Sequence, residues 1–172
     1  MATILDRSLI SDHTGTSILV NVLADTVKLT FLGTPYNYLD EEEYVTHYCQ
    51  PLLASSHSYD SILVGGLGMG LIPEWIADNT SCSTIHVIDN NSELRTWVSN
   101  ENYLDSSIDI YAGDAYTYTP TQNYDLILMD IWWGSETEAT DGTGAGLKDR
   151  YIPYLNSGGK YYAPCISCEL FD

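Results

Sequence analysis

The stretch Ser61-Ile-Leu-Val-Gly-Gly-Leu-Gly-Met-Gly70, followed by Leu71-Ile-Pro-Glu-Trp-Ile-Ala77, decides how the rest of the chain is read. A short apolar run, a cluster of glycines and an apolar-periodic segment in that order predict a strand, a tight turn and a helix. Glycines suit the turn because the backbone must reverse sharply and let a ligand approach the helix N-terminus with no Cβ in the way. A Gly-x-Gly-x-Gly run is weak evidence alone; its place between strand and helix strengthens it.

Downstream the alternation continues. Thr84-Ile-His-Val-Ile-Asp89 predicts a second strand, and a helix follows around Glu93 to Val98. Ile108 to Tyr111 predicts a third strand and Tyr124 to Asp130 a fourth. A polar loop leads to a helix near Leu147 to Tyr154, and Asn156-Ser-Gly-Gly159 turns into a fifth strand from Lys160 to about Ile166. Alternating strands and helices imply βαβ units and a parallel, Rossmann-like sheet.

Upstream, Ser17 to Phe31 holds two extended runs, SILVNVL and TVKLTF, joined by Ala24-Asp-Thr26, a β-hairpin pattern. Acids at Asp40 to Glu43 suit the start of a helix running to about Ala54. The expected organisation is one domain: residues 1–58 form a hairpin-and-helix extension or lid, and residues 59–172 the Rossmann-like core.

The acids fall in phase with the strands. Asp89 closes the second strand, nineteen residues beyond Gly70, at the edge where sheets of this kind bind ligands. It either accepts the hydroxyls of a ribose or caps the next helix together with Asn90, Asn91 and Ser92. Asp114 follows the third strand and Asp130 ends the fourth, so four consecutive strand ends carry a glycine loop or an acid.

Bulk composition excludes several function classes. The chain of 172 residues has 6 Lys and Arg against 24 Asp and Glu, a formal charge of −18. That balance repels a phosphate backbone, so no nucleic-acid partner is expected; it suits a cationic small molecule or serves solubility. No basic leader precedes an apolar run and no stretch is apolar enough to span a bilayer, so a soluble, cytoplasmic protein without membrane association is expected. Cys49, Cys82, Cys165 and Cys168 are too scattered for a disulfide framework, and the lone Cys-x-x-Cys lacks a second ligand pair. No metal is expected.

Taken together, YDSILVGGLGMG, HVIDNNSEL, IYAGDA, YDLILMDIWWG and LNSGGKYY resemble the successive motifs of class I S-adenosylmethionine-dependent enzymes, and most closely the spermidine synthases. VLADTVKLT resembles the hairpin in which that family writes LDGxxQxT, and LDEEEYVTHYCQPLL its DEFxYxEM helix. The resemblance covers roughly residues 17–166. It implies a donor, S-adenosylmethionine or its decarboxylated form, and a small amine acceptor.

By the same resemblance Gly66, Gly68 and Gly70 face the amino-acid or aminopropyl end of the donor, Asp89 the ribose and Asp114 the adenine amino group. Asp130 matches the first acid of DSSDP, which orients and deprotonates the amine, and Tyr44 a tyrosine lining the active site. The departures bear on the reaction. Val87 stands where the family carries its ribose acid, and Lys28 replaces a glutamine and suits the methionine carboxylate of a methyl donor. Asp130-Ile-Trp-Trp133 replaces DSSDP, removing the second acid. Trp132 and Trp133 serve either packing or an acceptor, with Glu136 or Glu138 available to replace the lost carboxylate. Three readings stay open: aminopropyl transfer, small-molecule methyl transfer, and a non-catalytic binding protein. The family fold continues beyond a fifth strand, so the core is expected to be C-terminally shortened, with an open sheet edge that a homo-oligomer would cover.

Overall fold

The computed structural model describes residues 5, 7–23, 27–37, 58–131, 146–163 and 170–171. The first section forms an antiparallel sheet in the order β1 (His13–Thr14), β2 (Ile18–Val22), β3 (Val27–Phe31) and β4 (Thr34–Asn37). The expected hairpin is β2 with β3, paired from Ile18 with Phe31 to Val22 with Val27. The flanking strands escape a sequence reading because β1 has two residues and β4 carries Pro35.

The second section is a doubly wound sheet. Its strands are β5 (Ser61–Gly65), β6 (Thr84–Asp89), β7 (Ile108–Ala112), β8 (Tyr124–Met129), β9 (Leu155–Tyr162) and β10 (Leu170–Phe171), in the order β10-β9-β8-β5-β6-β7. All pair in parallel except β10, which runs antiparallel to β9. The helices are α1 (Leu71–Asn79), α2 (Ser92–Glu101) and α3 (Leu147–Tyr151).

Both faces of this sheet are covered, which is why its central strands read as unbroken apolar runs. Ile62, Val64, Ile85, Val87, Leu126 and Leu128 share one core with Trp75 and Ile76 of α1, Leu94, Trp97 and Val98 of α2, and Ile18, Val20, Val27 and Leu29 of the antiparallel sheet. Leu63, Ile88, Ile127, Met129 and Tyr161 face the other way, against Leu147 and Tyr151 of α3. The antiparallel sheet thus lies in the same layer as α1 and α2.

Local chemistry sets the boundaries. Gly70, at φ 79°, caps α1; the Asn91 side chain caps α2 by accepting from the Leu94 amide at 3.0 Å, and Asn102 closes α2 at φ 53°. At the opposite edge Asp125 accepts from the Asp60 and Ser61 amides and the Ser61 hydroxyl, each at 3.0 Å, and from Asn156 Nδ2 at 2.7 Å. Partial burial opposes ionisation there, but the hydrogen bonds prevail and hold its carboxyl below the usual range.

Two expectations need correction. The fifth strand starts at Leu155, not Lys160: Asn156-Ser-Gly-Gly159 is a bulge inside β9, because Tyr124 pairs with Leu155 and Leu126 already with Lys160. A Cβ at Gly159 would come within 3.0–3.1 Å of the Tyr124 and Asp125 carbonyls, so a side chain there would crowd the passage of β9 past β8. The outer edge of β9 is also not open along its length, since Leu170 and Phe171 pair with Tyr162 and Tyr161. The predicted helix ending near Ala54, with Tyr44 in it, lies outside the described residues, as do Cys49, Trp132, Trp133, Glu136, Glu138, Cys165 and Cys168. Among the described residues no helix is long and apolar enough to cross a membrane, and no group of three His, Cys, Asp or Glu is placed to hold a metal ion.

Candidate functional site

Register places the predicted residues on one rim. Gly65, the last residue of β5, pairs with Ile88 on β6 and Met129 on β8, so Asp89 and Asp130 each stand one residue beyond that level. Asp89 in turn pairs with Ala112 on β7, and Asp114 lies two residues further on. Because the four strands are parallel, the glycine turn and the three carboxylates all emerge at the C-terminal edge.

The glycine turn is fixed from several sides. Gly66, Gly68 and Gly70 all have positive φ, at 93°, 51° and 79°. Gly66 donates its amide to the Ile88 carbonyl at 2.8 Å, and a Cβ there would collide with the Asp130 carbonyl. Strand crossing and left-handed backbone together leave room for no other residue. The Met69 carbonyl stands just ahead of the Gly70 cap, outside the helical ladder that begins with the Gly70 carbonyl accepting from the Glu74 amide. The buried Tyr103 hydroxyl donates to it instead at 2.7 Å.

Asp89 organises the junction. It is 8% exposed, and its two oxygens accept from the Leu67 amide at 3.0 Å and the Asn91 amide at 2.7 Å. Its own carbonyl accepts from the Gly113 amide and from Arg95 Nη1. The cap of α2 is therefore Asn91, and Asp89 joins the glycine turn to the α2 entry. A carboxylate offers about four lone-pair directions, so two are left to accept from hydroxyl groups of a ligand. Asp114 opens a single turn: its Oδ1 accepts from the Tyr116 amide at 2.9 Å and its carbonyl from the Thr117 and Tyr118 amides at 2.9 and 2.7 Å. Asp130 donates its amide to the Gly65 carbonyl at 2.8 Å, and its residue is half-buried. Lys28 is placed apart from these four: on β3 it alternates with the buried Val27 and Leu29 and so stands on the sheet face turned away from the core.

Sequence reasoning missed the residue that ties the antiparallel sheet to this rim. The Glu93 carboxylate, in the first turn of α2, accepts from the Thr16 and Ser17 amides at 2.8 and 2.7 Å and from the Ser17 and Thr16 hydroxyls at 2.6 and 3.1 Å. These bonds, those of Ser17 foremost, pull its carboxyl down to about 2. Ser17 also meets the Asn91 side chain at 3.2 Å, so the turn before β2 sits two residues from Asp89. The antiparallel sheet is thus tied to the α2 entry beside this rim. The only local signal is the donor-rich Thr16-Ser17, whose partner is 76 residues away.

His86 was also unremarked. Its Nδ1 lies 2.8 Å from the Tyr124 hydroxyl, its ring is edge-on to Tyr111 and Tyr124, and Asp109 is 3.9 Å from Nε2. Burial lowers its pKa and the Asp109 charge partly opposes this. The half-buried Cys82 thiol bonds the Asp60 and Thr84 carbonyls, and burial raises its pKa, which disfavours the nucleophilic thiolate.

No family model matches the sequence, and no curated protein matches it. Solved structures do. An N-methyltransferase, NodS, from Bradyrhizobium japonicum aligns with 72% of the chain at TM-score 0.55 and 22% identity. The chain has the class I methyltransferase fold. An S-adenosylmethionine-dependent methyltransferase from Clostridium acetobutylicum aligns with 73% of it at TM-score 0.54 and 16% identity. Coclaurine N-methyltransferase, solved with N-methylheliamine and SAH, aligns with 77% at TM-score 0.52 and 17% identity. The chain spans 36% of that last methyltransferase, 50% of the clostridial one and 69% of NodS.

Proposed function

We propose that the rim binds S-adenosylmethionine and that the protein transfers its methyl group to a small amine. The observation that carries this reading is Asp89, a buried carboxylate at the C-terminal edge whose backbone partners belong to the glycine turn and to the α2 entry. The similar structures are methyltransferases, two of them N-methyltransferases by name, which favours methyl over aminopropyl transfer.

In this reading Gly66, Gly68 and Gly70 pass along the amino-acid end of the donor, Asp89 holds the ribose and Asp114 the adenine amino group. Asp130 accepts a hydrogen bond from the acceptor amine, orients it in line with the transferred carbon and takes its proton as the donor leaves as S-adenosylhomocysteine; the resemblance to spermidine synthases would add Tyr44 to the same site. The donor brings the activated carbon; the chain supplies position and a place for the proton.

Aminopropyl transfer from decarboxylated S-adenosylmethionine is the second reading, supported by the antiparallel sheet docked ahead of the core, whose hairpin resembles that of spermidine synthases. One carboxylate on the ligand separates the two. Calorimetric titration with both donors decides: methyl transfer requires tighter binding of S-adenosylmethionine, and Asp89→Asn should weaken it at least about tenfold. Tighter binding of the decarboxylated donor selects the second reading. If neither donor nor methylthioadenosine binds or raises the melting temperature, both fall and a non-catalytic role takes their place.

A further inference from the structure

We propose that Arg150, with Tyr151 beside it, is the positioning residue that fixes the turn carrying Asp114 and so sets a preference for adenine over other bases. This rests on the nucleoside reading above. The chain crosses from β7 to β8 through residues 113–123, where the described backbone makes one turn at 115–117 and no helix. A single turn does not hold itself together, and its outgoing carbonyls find no donor in a following turn.

Those donors come from α3. The Tyr151 hydroxyl, fully buried, donates to the Ala115 carbonyl at 2.8 Å. Arg150 Nη2 donates to the Thr117 and Tyr118 carbonyls at 2.6 and 2.9 Å, and its Nε to Tyr118 at 3.2 Å. The two side chains together occupy the carbonyls of Ala115, Thr117 and Tyr118. A planar guanidinium meets two neighbouring carbonyls from one rigid fork, which a lysine ammonium does not reproduce. Charged donors also make the stronger hydrogen bonds.

The consequence falls on Asp114, whose Oδ1 is held by the Tyr116 amide of the same turn. With one oxygen held, the other is left in a defined place to accept from an exocyclic amine. Adenine offers that amine; hypoxanthine presents a carbonyl oxygen there, which a carboxylate repels. A turn free to shift lets the carboxylate move away and the distinction fades.

The test uses the full-length protein and its Arg150→Met, Arg150→Lys and Tyr151→Phe variants, titrated with S-adenosylhomocysteine and S-inosylhomocysteine. Amide exchange of Tyr116 to Tyr118 is read without ligand. The expected result is a wild-type preference for adenine of about tenfold or more, reduced at least threefold in Arg150→Met and partly kept in Arg150→Lys, with faster exchange across the turn. A variant that merely folds less well would lose affinity for both ligands equally and keep the preference, which would overturn the proposal. So would unchanged exchange in Arg150→Met. A wild-type protein that binds neither ligand while Arg150→Met loosens the turn would leave the positioning standing and overturn the nucleoside reading with its base preference.

Discussion

Replacing Tyr103 by phenylalanine removes the hydroxyl and with it the hydrogen bond to the Met69 carbonyl in the glycine turn. The ring stays packed against Trp97, with centroids 6.2 Å apart, so the change isolates the polar term. Tyr103 is 8% exposed, and the Met69 carbonyl lies ahead of the helical ladder of α1, so water and backbone are poor substitutes. Leaving a buried acceptor unsatisfied costs about 1–3 kcal/mol. For a chain of this size each kcal/mol moves the melting temperature by about 2–4 °C, so the variant should melt roughly 2–12 °C lower. Thermal melting followed by circular dichroism reads the loss. A saturating donor should narrow the gap if it braces the turn directly. A variant that melts within about 1 °C of wild type would show that the Tyr103 bond does not hold the turn.

Gly66→Ala and Gly33→Ala both place a side chain at positive φ, 93° and 83°, but only the first meets the Asp130 carbonyl; open space surrounds the second. Gly33→Ala should cost about 1–2 kcal/mol and Gly66→Ala distinctly more, by denaturant titration; equal costs would deny the close approach. Glu93 has a folded pKa of about 2 against an ordinary 4.5, so its contribution is complete above about pH 5 and fades as pH falls toward 2. The melting-temperature gap between wild type and Glu93→Gln should therefore be flat near neutrality and close on acidification; a gap that widens would reverse the sign. His86 should titrate below 6.5 by nuclear magnetic resonance, and its neutral packing against Tyr111 and Tyr124 should lose stability as pH drops through that value despite Asp109 nearby; a titration above 6.5 would mean that Asp109 outweighs burial.

The core was legible because parallel strands covered on both faces leave runs such as Ile62-Leu-Val64 and Leu126-Ile-Leu-Met129, bounded by the residues that end them. The rim positions of Asp89 and Asp130 were legible for the same reason, since Asp89 ends such a run and Asp130 follows one directly, whereas Asp114 stands two residues past the half-exposed β7. The contacts that hold the rim were not. Glu93 with Ser17, Tyr103 with Met69 and Arg150 with Tyr118 each join positions far apart in the chain, and nothing in their local sequence names the partner. Asn156-Ser-Gly-Gly159 misled because the same glycines serve a turn and a bulge, and only pairing with β8 separates the two.

The antiparallel sheet shares its apolar layer with α1 and α2, so the division near residue 58 is not a boundary at which the protein can be cut. A fragment beginning at 59 would bare part of the apolar cluster that Ile18, Val20, Val27 and Leu29 share with α1 and α2. Both sections should therefore melt in one cooperative transition. With its decisive contacts spanning most of the chain, the protein must also close long loops before they are rewarded, which slows folding and favours keeping the newly made N-terminal strands apart from other chains until the core arrives.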